Sequence, residues 1–197
     1  MARTKESYHH GDLANALLGA AGSLLAEGGA RPLTLRAVAR RAGVSAMAPY
    51  RHFADREALL AAVAADGFAR LAAALETGAE GATPGERLFN AGLAYIRFAL
   101  TNPALYRLMF GPDLPDKGRH PVLVDNGAAA LAACRRLVGA CADGETPPEA
   151  IERRTAAKWA QVHGIAGLML DGLLDDLPDD VEGRVAVAGG ILAADGA

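Results

Sequence analysis

The stretch that decides the fold runs from Thr34 to Leu60, TLRAVARRAGVSAMAPYRHFADREALL. Thr34 is a good N-cap for a short helix whose apolar face is Leu35, Val38, Ala39 and Ala42. Gly43 permits a positive φ at a tight turn, and Val44 plugs the angle that follows. Ser45 caps a predicted third helix ending near Phe53, and Asp55 caps a fourth, with Leu60, Val63, Leu71 and Leu75 inward. Two short helices meeting at such a corner leave the outer face of the second free to enter a major groove of matching width. An ordinary αα corner needs the same Gly and apolar residues. What separates the two is the sequel: Tyr50, Arg51, His52 and Phe53, then Arg56.

Working outward, Asp12 caps a predicted first helix reaching about Glu27, with Leu13, Leu17, Ala21, Leu24 and Leu25 on one stripe and Gly28 and Gly29 at its end. Thr77 to Pro84, rich in Gly and Ala, is the candidate domain junction. Thr83, Pro84 and Glu86 read as N-cap, first-position proline and capping-box glutamate, opening a helix with Leu88, Gly92, Tyr95, Ile96 and Ala99 inward. Asn102-Pro103 breaks the chain before a short helix carrying Leu105, Leu108 and Met109, and Gly111 to Pro121 is a loop. A helix follows from about Val122 to Cys141. Thr146, Pro147, Pro148 and Glu149 repeat the capping signature before a long helix reaching Leu174, and the last helix spans Pro178 to about Ala194. These elements predict an all-α chain of about nine helices: a helix-turn-helix module over 1–56, a connecting helix and junction over 57–82, and a helical bundle over 83–197.

Composition agrees. Of 197 residues 51% are apolar, carried by Ala and Leu, and only 5% are aromatic, which favours helices over strands. No apolar run is read as long enough to span a bilayer, and the N-terminus has no apolar core that could serve as a signal peptide, so a cytoplasmic chain without membrane contact is expected. Cys134 and Cys141 lie about 10 Å apart on a helix, beyond disulfide reach, and read as reduced packing residues. The net charge is −3, but residues 1–56 hold eight cations against four anions. A polyanion is therefore attracted to that end and repelled by the remainder.

The run from Thr34 to Leu60 resembles the DNA-binding domain of the tetracycline-repressor (TetR) family, a likeness covering residues 8 to 60. The opening Tyr8-His-His-Gly-Asp-Leu13 and the later Trp159-Ala-Gln-Val-His163-Gly164 resemble one subgroup of that family. The resemblance implies an Ω-shaped homodimer of all-helical subunits that binds a near-palindromic double-stranded operator and is released by a small molecule. By similarity Thr34 faces the DNA backbone, Tyr50 and His52 correspond to the phosphate-contacting pair, and Arg56 stands where the family often carries a lysine. Arg36, Arg3 and Lys5 are further candidate contacts. His52 is either a phosphate ligand or a solvated surface histidine. Ser45, Ala46 and Met47 begin the reading face, and since Ala46, Met47 and Ala48 lack a hydrogen-bonding side chain, apolar contacts with thymine methyls and DNA shape are expected to dominate. Arg51 is the candidate base reader, unless it meets only phosphate.

Alone, the scarce aromatic residues read as core, but the resemblance to ligand-responsive repressors implies an effector pocket, for which Phe89, Tyr95, Phe98, Tyr106, Phe110 and Trp159, with His163 one turn after Trp159, are the candidates. Core filling by the same residues stays open, and so does a core role for His163. Gly164, Gly167, Leu168, Val185, Val187 and Ile191 are expected at the dimer interface. His120, His163 and the acidic run Asp175 to Asp180 form no convincing metal set, and no cofactor is implied. An enzyme is the first alternative, but nucleophile–base pair, phosphate loop and metal cluster are all missing. A regulator without small-molecule ligand, an activator, and a structural helical module remain. A cavity of several hundred Å³ in the bundle separates the sensor from the ligand-free regulator.

Overall fold

The computed structural model describes residues 10–114 and 116–194. Among them are eight α-helices and no strand: α1 His10–Gly28, α2 Leu35–Arg41, α3 Arg56–Gly78, α4 Pro84–Thr101, α5 Pro103–Phe110, α6 Pro121–Ala140, α7 Pro148–Leu170 and α8 Val181–Ala194. Single 3-10 turns stand at Pro49–Arg51 and Lys117–Arg119.

Three starts follow from the capping residues. Thr34 Oγ1 accepts from the Ala37 amide at 3.1 Å, and Asp55 Oδ1 accepts from the Ala58 amide at 2.8 Å. Thr83 accepts from the Glu86 amide while the Glu86 carboxylate accepts from the amides of Ala82 and Thr83, a closed capping box that holds the Glu86 carboxyl below its usual range.

Other boundaries depart from the sequence reading. The helix expected from Ser45 to Phe53 is a turn followed by the 3-10 segment Pro49–Arg51. Pro49 has no amide to return to Ser45. The ladder instead runs by three-residue steps, Ala48 to Ser45, Arg51 to Ala48 and His52 to Pro49. Asp12 lies inside α1, which is already helical at His10. The capping signature at Thr146 does not form, because its hydroxyl turns back to Asp143 and Pro147 takes the cap position. α7 closes at Leu170 before Gly172, whose φ is +67°, and not at Leu174. α8 opens at Val181, after Asp180 accepts from the Gly183 amide.

α3 forms the central post, packing most extensively on α6 and then on α4 and α5. Its 23 residues, with a mean hydropathy of 1.7 over their richest window, are long and apolar enough to cross a membrane. This overturns the expectation that no run has that length. The helix owes its composition to burial: Leu59, Leu60, Val63, Phe68, Leu71 and Leu75 lie inside the core. One core runs from α1 to α8 without a break at the candidate junction.

Candidate nucleic-acid interface and ligand cavity

The corner is built as its residues require. Gly43 has φ +68°, and the Val44 amide returns to the Ala39 carbonyl at 3.0 Å, which bends the chain out of α2. Val38, Ala39, Pro49 and Phe53 are buried beneath it. Ser45, Ala46, Met47, Tyr50 and Arg51 are exposed, Met47 at 68% and Tyr50 at 45%. An unburied methionine beside an unburied tyrosine on a short, rigid turn is an apolar contact surface without an occupant in this subunit.

Thr34, Arg36, Tyr50 and Arg56 line one shallow depression together with Leu35, Ala54 and Asp55. Four of the nine residues named for DNA contact are thus brought together from α2, the turn and α3. Arg56 carries a second task. Its Nε donates to the Leu33 carbonyl at 2.9 Å and its Nη2 to the Ala30 carbonyl at 2.7 Å, tying the loop before α2 to the start of α3. The fork geometry of arginine makes this two-carbonyl clasp possible; lysine has no such fork. His52 differs from the expectation. It is half-buried, its Nε2 is buried with no hydrogen-bond partner among the described residues, and it lines a cleft between the corner and the start of α6. Arg3 and Lys5 lie outside the described residues, as do Tyr8 and His9 of the opening motif.

In the bundle, Phe89, Tyr95 and Trp159 line a cavity of about 210 Å³ together with Leu75, Leu88, Cys134, Leu137, Val162 and Leu192; Lys158 and Gln161 supply its polar side chains. The other four residues expected at a ligand do not line it. Tyr106, Phe110 and His163 form an aromatic cluster behind Tyr95, with Phe110 4.6 Å from the His163 ring and 5.2 Å from that of Phe68. Phe98 lies elsewhere, under the Arg70 guanidinium at 5.9 Å. The sequence reading missed Lys158 and Gln161; Lys158 adjoins Trp159 and sits one turn before the buried Val162 while being exposed itself.

Tyr95 joins cavity and cluster. His163 Nδ1 lies 2.6 Å from the Tyr106 hydroxyl and 3.0 Å from that of Tyr95, and the two hydroxyls are 3.3 Å apart. Burial lowers the His163 pKa and so favours the neutral imidazole, whose Nδ1 accepts in the tautomer that carries its proton on Nε2. Burial likewise drives the Tyr95 hydroxyl above its ordinary value and pushes Tyr106 up to about 12, which keeps both as donors.

Of the residues expected at a dimer interface, Leu168, Val187 and Ile191 are exposed, with Gly164 open beside them and Gly167 half-buried. Val185 is 3% exposed and packs into its own subunit's core, because α8 turns it toward α4 along with Ala188. Cys134 is buried and Cys141 exposed, both as free thiols. His120 has a carboxylate partner that chain order concealed, its Nε2 lying 3.1 Å from Glu57 Oε1. Among the described residues no group of three or more His, Cys, Asp or Glu is placed to hold a metal ion.

Two family models match the chain. Residues 17–63 match the bacterial regulatory proteins of the tetR family, and residues 88–188 match the tetracyclin repressor-like C-terminal domain. The chain belongs to the TetR family. TetR-family chains are transcriptional regulators and not enzymes, so the enzyme alternative is removed. The chain is 38% identical to a protein of unknown function from Rhodococcus sp. RHA1, covering 95% of this chain and 96% of that one with a TM-score of 0.74. It shares its fold with a bacterial regulatory protein in the tetR family from Rhodococcus RHA1 (21% identity, 91% and 94% covered, TM-score 0.67). It also shares it with a TetR-family regulator from Vibrio parahaemolyticus (24% identity, 89% and 96% covered, TM-score 0.65). No curated protein sequence matches the chain.

Proposed function

We propose that this TetR-family regulator is a cytoplasmic, ligand-responsive repressor that binds a near-palindromic operator as a homodimer and leaves it when a small apolar molecule enters the bundle. The observation that carries the DNA reading is the exposed turn from Ser45 to Arg51, set beside a depression that collects Thr34, Arg36, Tyr50 and Arg56. Met47 and Ala46 meet base edges by apolar contact, Arg36 and Tyr50 meet phosphates, and Arg51 is the candidate hydrogen-bonding reader. Arg56 acts mainly by holding α2 against α3. His52 supports that fold from within and turns outward only if DNA draws it.

The two-fold contact uses Gly164, Gly167 and Leu168 on α7 with Val187 and Ile191 on α8. Their exposure in the single subunit, on faces with small neighbours such as Ala160 and Gly190, fits a helix-on-helix dimer. At about 210 Å³ the cavity is smaller than the several hundred Å³ expected of a ligand site, and what supports a sensor over a ligand-free regulator is its lining, apolar and including three aromatic side chains. Its wall residue Tyr95 bonds to Tyr106 on α5, and α5 packs on α1 and α3. An occupant that shifts Tyr95 therefore moves an element abutting the DNA-binding module. A coupling of about 1–3 kcal/mol changes operator affinity about 5–150-fold, sufficient for a genetic switch.

Footprinting of the purified protein on the DNA upstream of its own gene tests this reading. Protection of a near-palindrome with half-sites about one helical turn apart is expected. Uniform protection of operator and scrambled DNA alike overturns it.

A further inference from the structure

The cavity beside Tyr95 carries a chemical signature beyond its apolar walls. Its volume, about 210 Å³, exceeds the roughly 150 Å³ of an apolar void that admits benzene, so it has room for a flat body of one or two rings. Phe89, Tyr95 and Trp159 offer ring faces and edges for such a body, and Trp159 stands edge-on to Tyr95 with centroids 5.2 Å apart. The Tyr95 hydroxyl is occupied by Tyr106 and His163 and points its bonding away from a ligand.

Among the described residues the wall holds a single charged residue, Lys158; none of those residues brings an Asp or Glu to the cavity or an ion-pair partner to Lys158. Lys158 is exposed and so stands at the cavity's open side, where its ammonium donates to Gln161 Oε1 at 3.2 Å, a neutral acceptor. A neutral ligand forfeits that charge, and a cationic one meets like charge at the same edge. One lysine, with no arginine fork beside it, suits a monoanion better than a phosphate.

We infer that the effector is a flat one- or two-ring apolar molecule bearing a single carboxylate, its rings between Phe89, Tyr95 and Trp159 and its carboxylate at the Lys158 ammonium. This inference rests on the reading of the cavity as the ligand site.

Trp159 is the chain's one tryptophan, so its fluorescence reports occupancy directly. The full-length protein is titrated with 2-naphthoate, 2-naphthamide and 2-naphthylmethylammonium, with calorimetry in parallel. 2-Naphthoate is expected to perturb Trp159 and to bind about tenfold more tightly than the amide, the size of one solvent-exposed charge-assisted hydrogen bond. The ammonium compound is expected to bind most weakly. In Lys158→Met the naphthoate should fall to the affinity of the amide, while the amide keeps its own. Equal affinity of acid and amide in the wild type, or a preference that survives Lys158→Met, overturns the carboxylate assignment and leaves the sensing cavity standing. No binding of any of the three overturns both.

Discussion

Tyr95, Tyr106 and His163 converge on one nitrogen, and the protonation state of His163 decides whether they agree. A neutral imidazole with its proton on Nε2 accepts at Nδ1, and the two hydroxyls can then donate in sequence. In the unfolded chain His163 takes up a proton near its ordinary value of 6.5, whereas burial makes the folded imidazole wait for lower pH. Between those two values the unfolded state binds more protons, so stability falls as pH drops below about 6.5 and the loss ends beneath the folded value. Melting curves at pH 7.5 and 5.5 should show a larger drop in wild type than in His163→Phe; equal drops refute the buried neutral histidine. Tyr106→Phe removes the closest donor and should cost about 1 kcal/mol in urea unfolding without altering Trp159 contacts. At this scale the sequence was informative about residue type and silent about direction. The aromatic residues were legible as a group, but only Phe89, Tyr95 and Trp159 line the cavity, since which side of α4 and α7 meets space depends on how α6 and α8 seat. Arg56 was readable as a cation beside the corner. Its clasp on Leu33 and Ala30 was not, because those carbonyls become neighbours only after α1 and α3 cross.

Among the elements, α1 and α3 use glycine in opposite ways. Gly19 and Gly22 lie inside α1 with nothing within 4 Å of where a side-chain carbon would stand. Replacing both by Ala removes backbone entropy from the unfolded chain and should stabilise by about 0.5–1 kcal/mol each, read as a raised melting temperature. Gly67 in α3 sits against α5, where an added carbon would come 2.7 Å from Met109 Sδ. Gly67→Val should destabilise by about 1–3 kcal/mol, since Met109 is fully buried and has no free space to yield into. A neutral result would mean that α3 and α5 separate easily. Helix starts at Thr34, Asp55 and Thr83 were legible because each cap has its amide three residues on and no competitor. Thr146 failed as a cap because Asp143 is nearer to its hydroxyl, a local contest that pattern reading does not resolve. The turn after Ser45 is no α-helix because Pro49 falls where the first helical bond would close, and the chain answers with three-residue steps.

For the whole molecule, fold class and module order were plain from the helical pattern and the corner, whereas which residues of α8 the subunit buries was not. Val185 and Val187 alternate along α8, and only packing tells which one the subunit keeps. Leu168→Glu, at a site 42% exposed in the subunit, should leave the fold intact, yield a monomer by sedimentation and lower operator affinity at least tenfold; an unchanged dimer would move the interface elsewhere. Given the charge division between the ends of the chain, operator affinity measured by anisotropy should fall steeply with salt as phosphate contacts release counterions; an affinity indifferent to salt would count against phosphate contact. All of this depends on the Ser45 to Arg51 turn being the surface that meets the duplex. Met47 tests it most directly, being 68% exposed and remote from the core. Fluorescence anisotropy of the footprinted operator, titrated with wild type and Met47→Glu, should show binding lost in the variant while its melting temperature stays that of wild type. Equal affinity of the two proteins for that operator would contradict the account.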